Sequence, residues 1–408
     1  MVKSPEETWE SIEWKTDLTN ARHKVEGSPT VVDGTVFAGC HNRLYAIDAD
    51  TGERQWEFRP DVYGGGRISS AAVIDNVVCT VFHHFQEKHR LYAVDVATGE
   101  QQWSFAEQSL NISGSPTTTD GTVYVTGENH GTEGDSLYAL DAITGRVQWE
   151  FNRRENGWLR TSPTVADGTV YITAGSGYEY GLYAIDSTTG VKKWIFDSLD
   201  RATRSSPTVA DGTIYFGCQT GENTGSLYAI NADTGRQEWT YTNTGEWTGS
   251  SPTVYAGTVY IGDPDGTLSA VSAVSGTQEW ATTVPTGLFR TSPTVADGTV
   301  YINGKNGNVH AFDADTGTQE RVASPVGGAV ESSPTVVDGT LYVGTDNGRL
   351  VAVAAAGTSE GSRVLLGTLG HHGQRATDDP SFGATRSFPG SGLASRLADE
   401  LRTIVQDE

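Results

Sequence analysis

The sequence predicts an all-β fold, an eight-bladed β-propeller of four-stranded antiparallel blades. Three observations carry this. First, the unit SPTVADGTVYITAGSGYEYGLYAIDSTTGVKKW, residues 162–194, recurs eight times, with anchors at Ser28, Ser70 (degenerate), Ser115, Ser162, Ser206, Ser251, Ser292 and Ser333. The spacings are 42, 45, 47, 44, 45, 41 and 41 residues, a period that suits four short strands per repeat. Second, most copies alternate short apolar segments with Asp-Gly and Thr-Gly pairs, the punctuation of tight hairpins. Third, a tryptophan closes most copies at one fixed place: Trp56, Trp103, Trp149, Trp194, Trp239 and Trp280.

The copy at Ser162 shows what each element is for. SPTVAD is short and alternating, and predicts the first strand. Asp167-Gly168 supplies the hairpin, because glycine accepts positive φ. TVYIT is β-branched and aromatic and predicts the second strand. A variable loop leads to LYAID, the third strand. STTG turns the chain into the fourth strand, which carries Trp194. One blade cannot bury both faces, so neighbouring blades must stack into a closed ring.

The pattern weakens at the ends. Arg321 stands at the tryptophan position of the seventh copy, and the eighth reaches only Gly357. Residues 11–18, SIEWKTDL, carry Trp14 with no preceding three strands, and are expected to complete the last blade and close the ring. Residues 363–369, RVLLGTL, compete for that place. The expected organisation is a loose stretch at 1–10, the propeller at 11–357, a strand remnant and flexible linker at 358–392, and a helix at 393–408. Leu393, Leu397, Leu401, Ile404 and Val405 fall on one helical face, which suits docking on the propeller wall or an oligomer contact.

These residues resemble the pyrroloquinoline quinone (PQQ)-like propeller repeat family. The pattern A-x-D-x-x-T-G-x-x-x-W appears at Ala46, Asp48, Thr51, Gly52 and Trp56. It appears again at Ala93, Asp95, Thr98, Gly99 and Trp103, and at Ala184, Asp186, Thr189, Gly190 and Trp194. The resemblance covers about residues 9–357. It implies either a quinoprotein dehydrogenase, which is longer, or a non-enzymatic scaffold of the outer-membrane-assembly type, which the chain resembles in length and in having eight blades. Quinoproteins of this kind carry adjacent cysteines beside the quinone, and calcium. The three cysteines here, Cys40, Cys79 and Cys218, are far apart and read as small buried thiols. Catalytic residues and a metal site are therefore not expected, and PQQ with calcium is the alternative.

The net charge is −23, from 51 acidic and 28 basic residues spread over all repeats. Such a surface suits high salt, as in halophilic proteins, or a basic partner. Nucleic acid and anionic membranes are disfavoured, since like charges repel. No apolar run is long enough for a transmembrane helix, and MVKSPEETWE lacks a signal-peptide core. The expected location is cytoplasmic as written, and extracellular or cell-surface if a signal peptide has been trimmed. DADTG at 48–52 and at 313–317 mimics the start of a calcium loop but lacks its remaining ligands, and reads as a turn.

Binding is expected on the face that bears the variable loops, because loops on a rigid scaffold carry function. The position two before each anchor reads Glu26, Ile68, Ser113, Arg160, Arg204, Gly249, Arg290 and Glu331, and is expected to ring the central funnel. Arg160, Arg204 and Arg290, with Arg67 one residue off register, form a candidate anion or peptide site. Trp158, Trp247 and Phe289 lie in the same loops. The competing reading pairs the arginines with Glu26, Glu331 or local acids along a water-filled channel. His41, His83, His84, His89 and His130 fall in loops of blades one to three and read as exposed polar residues.

Overall fold

The computed structural model describes residues 12–355, apart from 20–22, 62–65, 85–87, 107–109, 130–133, 153–158, 160, 175–179, 200, 202, 204, 221–223, 244–249, 285–286, 288–290, 305, 324–329 and 331. Every strand in it is antiparallel to its neighbour, and the strands form eight separate sheets, one per repeat. In blade 4 the order is Thr164–Ala166, Thr169–Ala174, Gly181–Asp186 and Lys192–Phe196, as the repeat predicts. Closure follows the N-terminal route. Ile12–Asp17 pairs antiparallel with Arg349–Ala354 and supplies the fourth strand of blade 8. Residues 363–369 and the helix expected at 393–408 lie outside the described residues.

The hairpin between first and second strands is fixed by backbone sterics. Asp33, Asp120, Asp167, Asp211, Asp297 and Asp338 have φ between 45° and 48°, each followed by a glycine at positive φ. Two successive residues of positive φ make the turn whose twist matches paired strands, and Asp with Gly tolerates it best.

The family pattern has a packing meaning. Ala46 lies between Phe37 and Trp56 in register across three adjacent strands. Its small side chain lets those two rings approach to 5.9 Å between centroids. The same pair recurs as Tyr171–Trp194 and Tyr215–Trp239, at 6.0 and 5.8 Å. Asp48 Oδ1 accepts hydrogen bonds from the Thr51 amide and hydroxyl, at 2.9 and 2.8 Å, which builds the turn into the fourth strand. These bonds, the hydroxyl first, hold the Asp48 carboxyl below its usual range. The apparent calcium loop is thus a turn that uses its own carboxylate. Gly52 then sits at φ 72° under the Trp14 indole of the preceding blade.

Blades join through three sets of contacts. Each closing tryptophan donates its indole N–H to a carbonyl of the next blade, as Trp14 does to Ala49 at 2.8 Å and Trp239 to Ala273 at 2.9 Å. Nearer the ring's centre, the anchoring serine amide donates to the next blade's serine hydroxyl, as from Ser206 to Ser251 at 3.0 Å. The threonine two residues on donates to the next blade's proline carbonyl, as from Thr208 to Pro252 at 2.7 Å. Both belts cross the closure, from Ser333 to Ser28 at 3.1 Å and from Thr335 to Pro29 at 2.8 Å. The degenerate second copy interrupts the threonine belt, since Ala72 has no hydroxyl, and Thr118 of blade 3 instead donates backward to Val73.

Candidate functional site

The ring has two unlike faces. The Asp-Gly and Thr-Gly turns share one, with the Ala49 amide donating to the Gly34 carbonyl at 2.8 Å. The other bears the loops between second and third strands and those that lead to the next blade. There the Val25 amide reaches Thr345 at 3.0 Å and the Leu18 amide reaches Gly348 at 2.9 Å.

Of the expected funnel residues, Glu26, Arg67, Ile68 and Ser113 are described. Glu26 and Arg67 come from neighbouring blades and form an ion pair, Arg67 Nε to Glu26 Oε2 at 3.3 Å. The Arg67 side chain is still 65 % exposed. Arg160, Arg204, Arg290, Glu331, Trp158, Trp247 and Phe289 lie outside the described residues. Two equivalent positions turn inward. Ile68 is buried among Phe37, Phe58 and Phe82, and the buried Ser113 hydroxyl donates to the Leu159 carbonyl.

A second group of residues gathers beside this pair, across blades 1 and 2. His23 and His41 stack with ring centroids 3.9 Å apart. Burial first, then the neighbouring His23, Arg43 and Arg59, hold the His41 imidazole below its ordinary pKa. His83 and His84 are not on a loop, because the second strand of blade 2 runs through Val77–His84. An added segment, Gly66–Ile68, pairs with its end, setting Arg67 opposite His83. His84 is buried against Phe82 and Tyr92, contrary to the expected exposed loop residue, because this extra pairing extends the inter-blade core.

His83 Nδ1 lies 3.2 Å from His89 Nδ1, which is itself 3.2 Å from the Ile112 carbonyl oxygen. A carbonyl only accepts, so the His89 Nδ1 carries the proton and the His83 Nδ1 presents its lone pair. Burial, followed by His89, Arg67 and His84, pushes the His83 pKa down to about 3. The His83 imidazole is therefore neutral at pH 7. Arg90 begins the third strand of blade 2 and pairs with Phe82, and its Nε is buried with no hydrogen-bond partner. The sequence singled out His41, His83 and His89 by their loops, but not His23, Arg43, Arg59 or Arg90. Their meeting depends on the added strand pairing of blade 2, which no repeat alignment shows.

Among the described residues no group of three His, Cys, Asp or Glu side chains could hold a metal ion. Cys40, Cys79 and Cys218 are buried free thiols in blades 1, 2 and 5. Burial raises the Cys40 and Cys79 pKa values, so these thiols stay protonated. No helix among them is long and apolar enough to cross a membrane.

Fold and faces define a ring of tryptophan-docked repeats that presents loops on one side. The family described as outer membrane protein assembly factor BamB matches residues 8–104, 87–246 and 223–377, and the chain belongs to this PQQ-type repeat family. No curated protein matches. Three solved structures are similar in fold. BamB from Moraxella catarrhalis is 20% identical, with a TM-score of 0.63, over 83% of this chain and 97% of that one. The computationally designed Ika8 protein is 14% identical, with a TM-score of 0.67, over 83% and 98%. The quinohemoprotein alcohol dehydrogenase ADHIIG from Pseudomonas putida is 19% identical, with a TM-score of 0.64, over 86% of this chain and 77% of that one. At these identities the likeness is one of fold, which assembly factors, designs and dehydrogenases share.

Proposed function

We propose that the chain is a non-catalytic scaffold that holds a protein or peptide on its loop-rich face. The observation that carries this is the asymmetry of the ring. One face consists of uniform turns whose polar groups satisfy one another, while the other gathers arginines and histidines in loops of unequal length. Membership of a family described by an assembly factor supports the reading. The wide separation of Cys40, Cys79 and Cys218 in sequence favours it over quinone chemistry. Arg160, Arg204 and Arg290, with Trp158, Trp247, Phe289 and Glu331, extend the proposed surface around the funnel.

The test is cross-linking of the intact chain to proteins of its own cells, with linked residues mapped by mass spectrometry. Links concentrated on the loop-rich face, and lost in Arg160→Glu with Arg204→Glu, are expected. Links confined to the turn face, or unchanged in that variant, would remove the funnel from the account. The high acid content is proposed to be an adaptation to concentrated salt.

A further inference from the structure

We propose that the cationic arc on blades 1 and 2, Arg59, Arg67 and Arg90 with His41 and His83, binds carboxylates of an acidic peptide segment. This rests on the scaffold reading of the same face and names the chemistry of its partner.

The first support is local charge. Acids outnumber bases 51 to 28 in the whole chain. On this arc the balance inverts: Arg43 and Arg59 lie beside His41, Arg67 lies beside His83 and Arg90 starts the adjoining strand, against the carboxylates Glu26 and Glu57. Glu57 is already engaged by Arg43 at 2.6 Å and by Arg54 at 2.9 Å. Glu26 takes Arg67. Arg59 has no carboxylate within ion-pair distance among the described residues.

The second support is unused hydrogen-bonding capacity. The Arg90 Nε and the His23 Nδ1 are buried without hydrogen-bond partners. Neither atom is open to solvent, so the donors of the arc that a carboxylate can reach are the exposed Arg59 and Arg67 guanidiniums. The third support is the state of the imidazoles. Burial first, and then neighbouring cations, hold the His41 and His83 pKa values down, and an arriving anion would offset the second cause.

The arrangement favours several spaced carboxylates over one compact anion. The groups come from separate segments and are already sorted into contacts: His23 on His41, Glu26 on Arg67, and His83 on His89. They do not converge on one point, as a phosphate cradle of backbone amides would. Guanidinium forks spread along two blades suit acidic side chains spaced along a peptide.

The test is a calorimetric titration of the full chain with an octaglutamate peptide, in the lowest salt that keeps the ring folded by circular dichroism. Octaglutamine and inorganic phosphate serve as controls. Saturable binding of octaglutamate alone is expected, weakened at least about ten-fold in Arg59→Gln with Arg67→Gln. Both arginines are exposed side chains, so the variant should melt with the wild type. Absence of octaglutamate binding, or equal binding by the variant, would overturn the proposal. Phosphate binding as tightly as the peptide would overturn the peptide assignment. Cross-links that stay on the loop-rich face while octaglutamate fails to bind would sink the arc alone; loss of both would sink the scaffold reading too.

Discussion

His310 stands where blades one to five carry Tyr45, Tyr92, Tyr138, Tyr183 and Tyr228. It is 5 % exposed, and neither ring nitrogen has a hydrogen-bond partner. Burial alone pushes its pKa down to about 4. The unfolded chain takes up this proton near pH 6.5, the folded chain only near 4. Between those values the unfolded state holds more protons, so this group's contribution is intact above pH 6.5 and declines as pH falls through the window. The loss by pH 4.5 is on the order of 2–3 kcal/mol. His83, also held neutral, adds a slope of the same sign. His310→Phe keeps a ring and removes both nitrogens. Urea melts at pH 7.5 and 4.5 should show a smaller pH-dependent loss in this variant than in the wild type; an equal loss would mean that His310 is not buried neutral. The sequence shows His310 as an odd residue at a tyrosine position. It does not show the burial that makes it pH-sensitive.

At the scale of the element, the blade was legible because its rules are local. Turn aspartates, hairpin glycines, the small Ala46 between two rings and the closing tryptophan act within one repeat or between neighbours, so they recur in sequence. The two glycines of blade 5 separate backbone from packing. Gly212 and Gly235 both have positive φ, at 77° and 68°. A Cβ at Gly212 would meet nothing within 4 Å, whereas one at Gly235 would lie 2.7 Å from the Trp194 ring. Gly212→Ala should cost about 1 kcal/mol from the left-handed backbone alone. Gly235→Ala should cost at least about 2 kcal/mol more, because the indole must leave its bond to Ala232. Equal midpoints in denaturant melts would deny the tryptophan its inter-blade role. What the repeat could not show is the variation laid over it. The strand Gly66–Ile68 and the longer first strand Leu110–Thr119 of blade 3 are additions peculiar to two blades, and they set Arg67 opposite His83 and the Ile112 carbonyl beside His89. Ile68 was expected at the funnel and is core, for the same reason.

At the scale of the whole molecule, ring closure and charge decide behaviour. Trp14 at the start of the chain revealed the closing strand, because its partner pattern ends without a fourth strand at 357. The net charge of −23 has a structural location as well. Asp48, Asp95, Asp141, Asp186 and Asp313 head turns on one face, beside the hairpin aspartates. Their mutual repulsion is long-ranged in dilute buffer and is screened within about 3 Å at 1 M salt. The melting temperature should therefore climb between 0.1 and 2 M potassium chloride; a flat or falling curve would contradict the salt-adapted reading. The funnel was legible only as a list of residues, since the loops of blades three to seven do not repeat and their partners are set by neighbours distant in sequence.

The central claim is that this ring uses its loops to hold a partner and not to hold a redox cofactor. The most direct measurement is a calorimetric titration of the folded chain with pyrroloquinoline quinone and calcium in molar salt. The account predicts no saturable heat. Saturable binding near one quinone per chain would contradict it and return the protein to the quinoprotein branch of its fold.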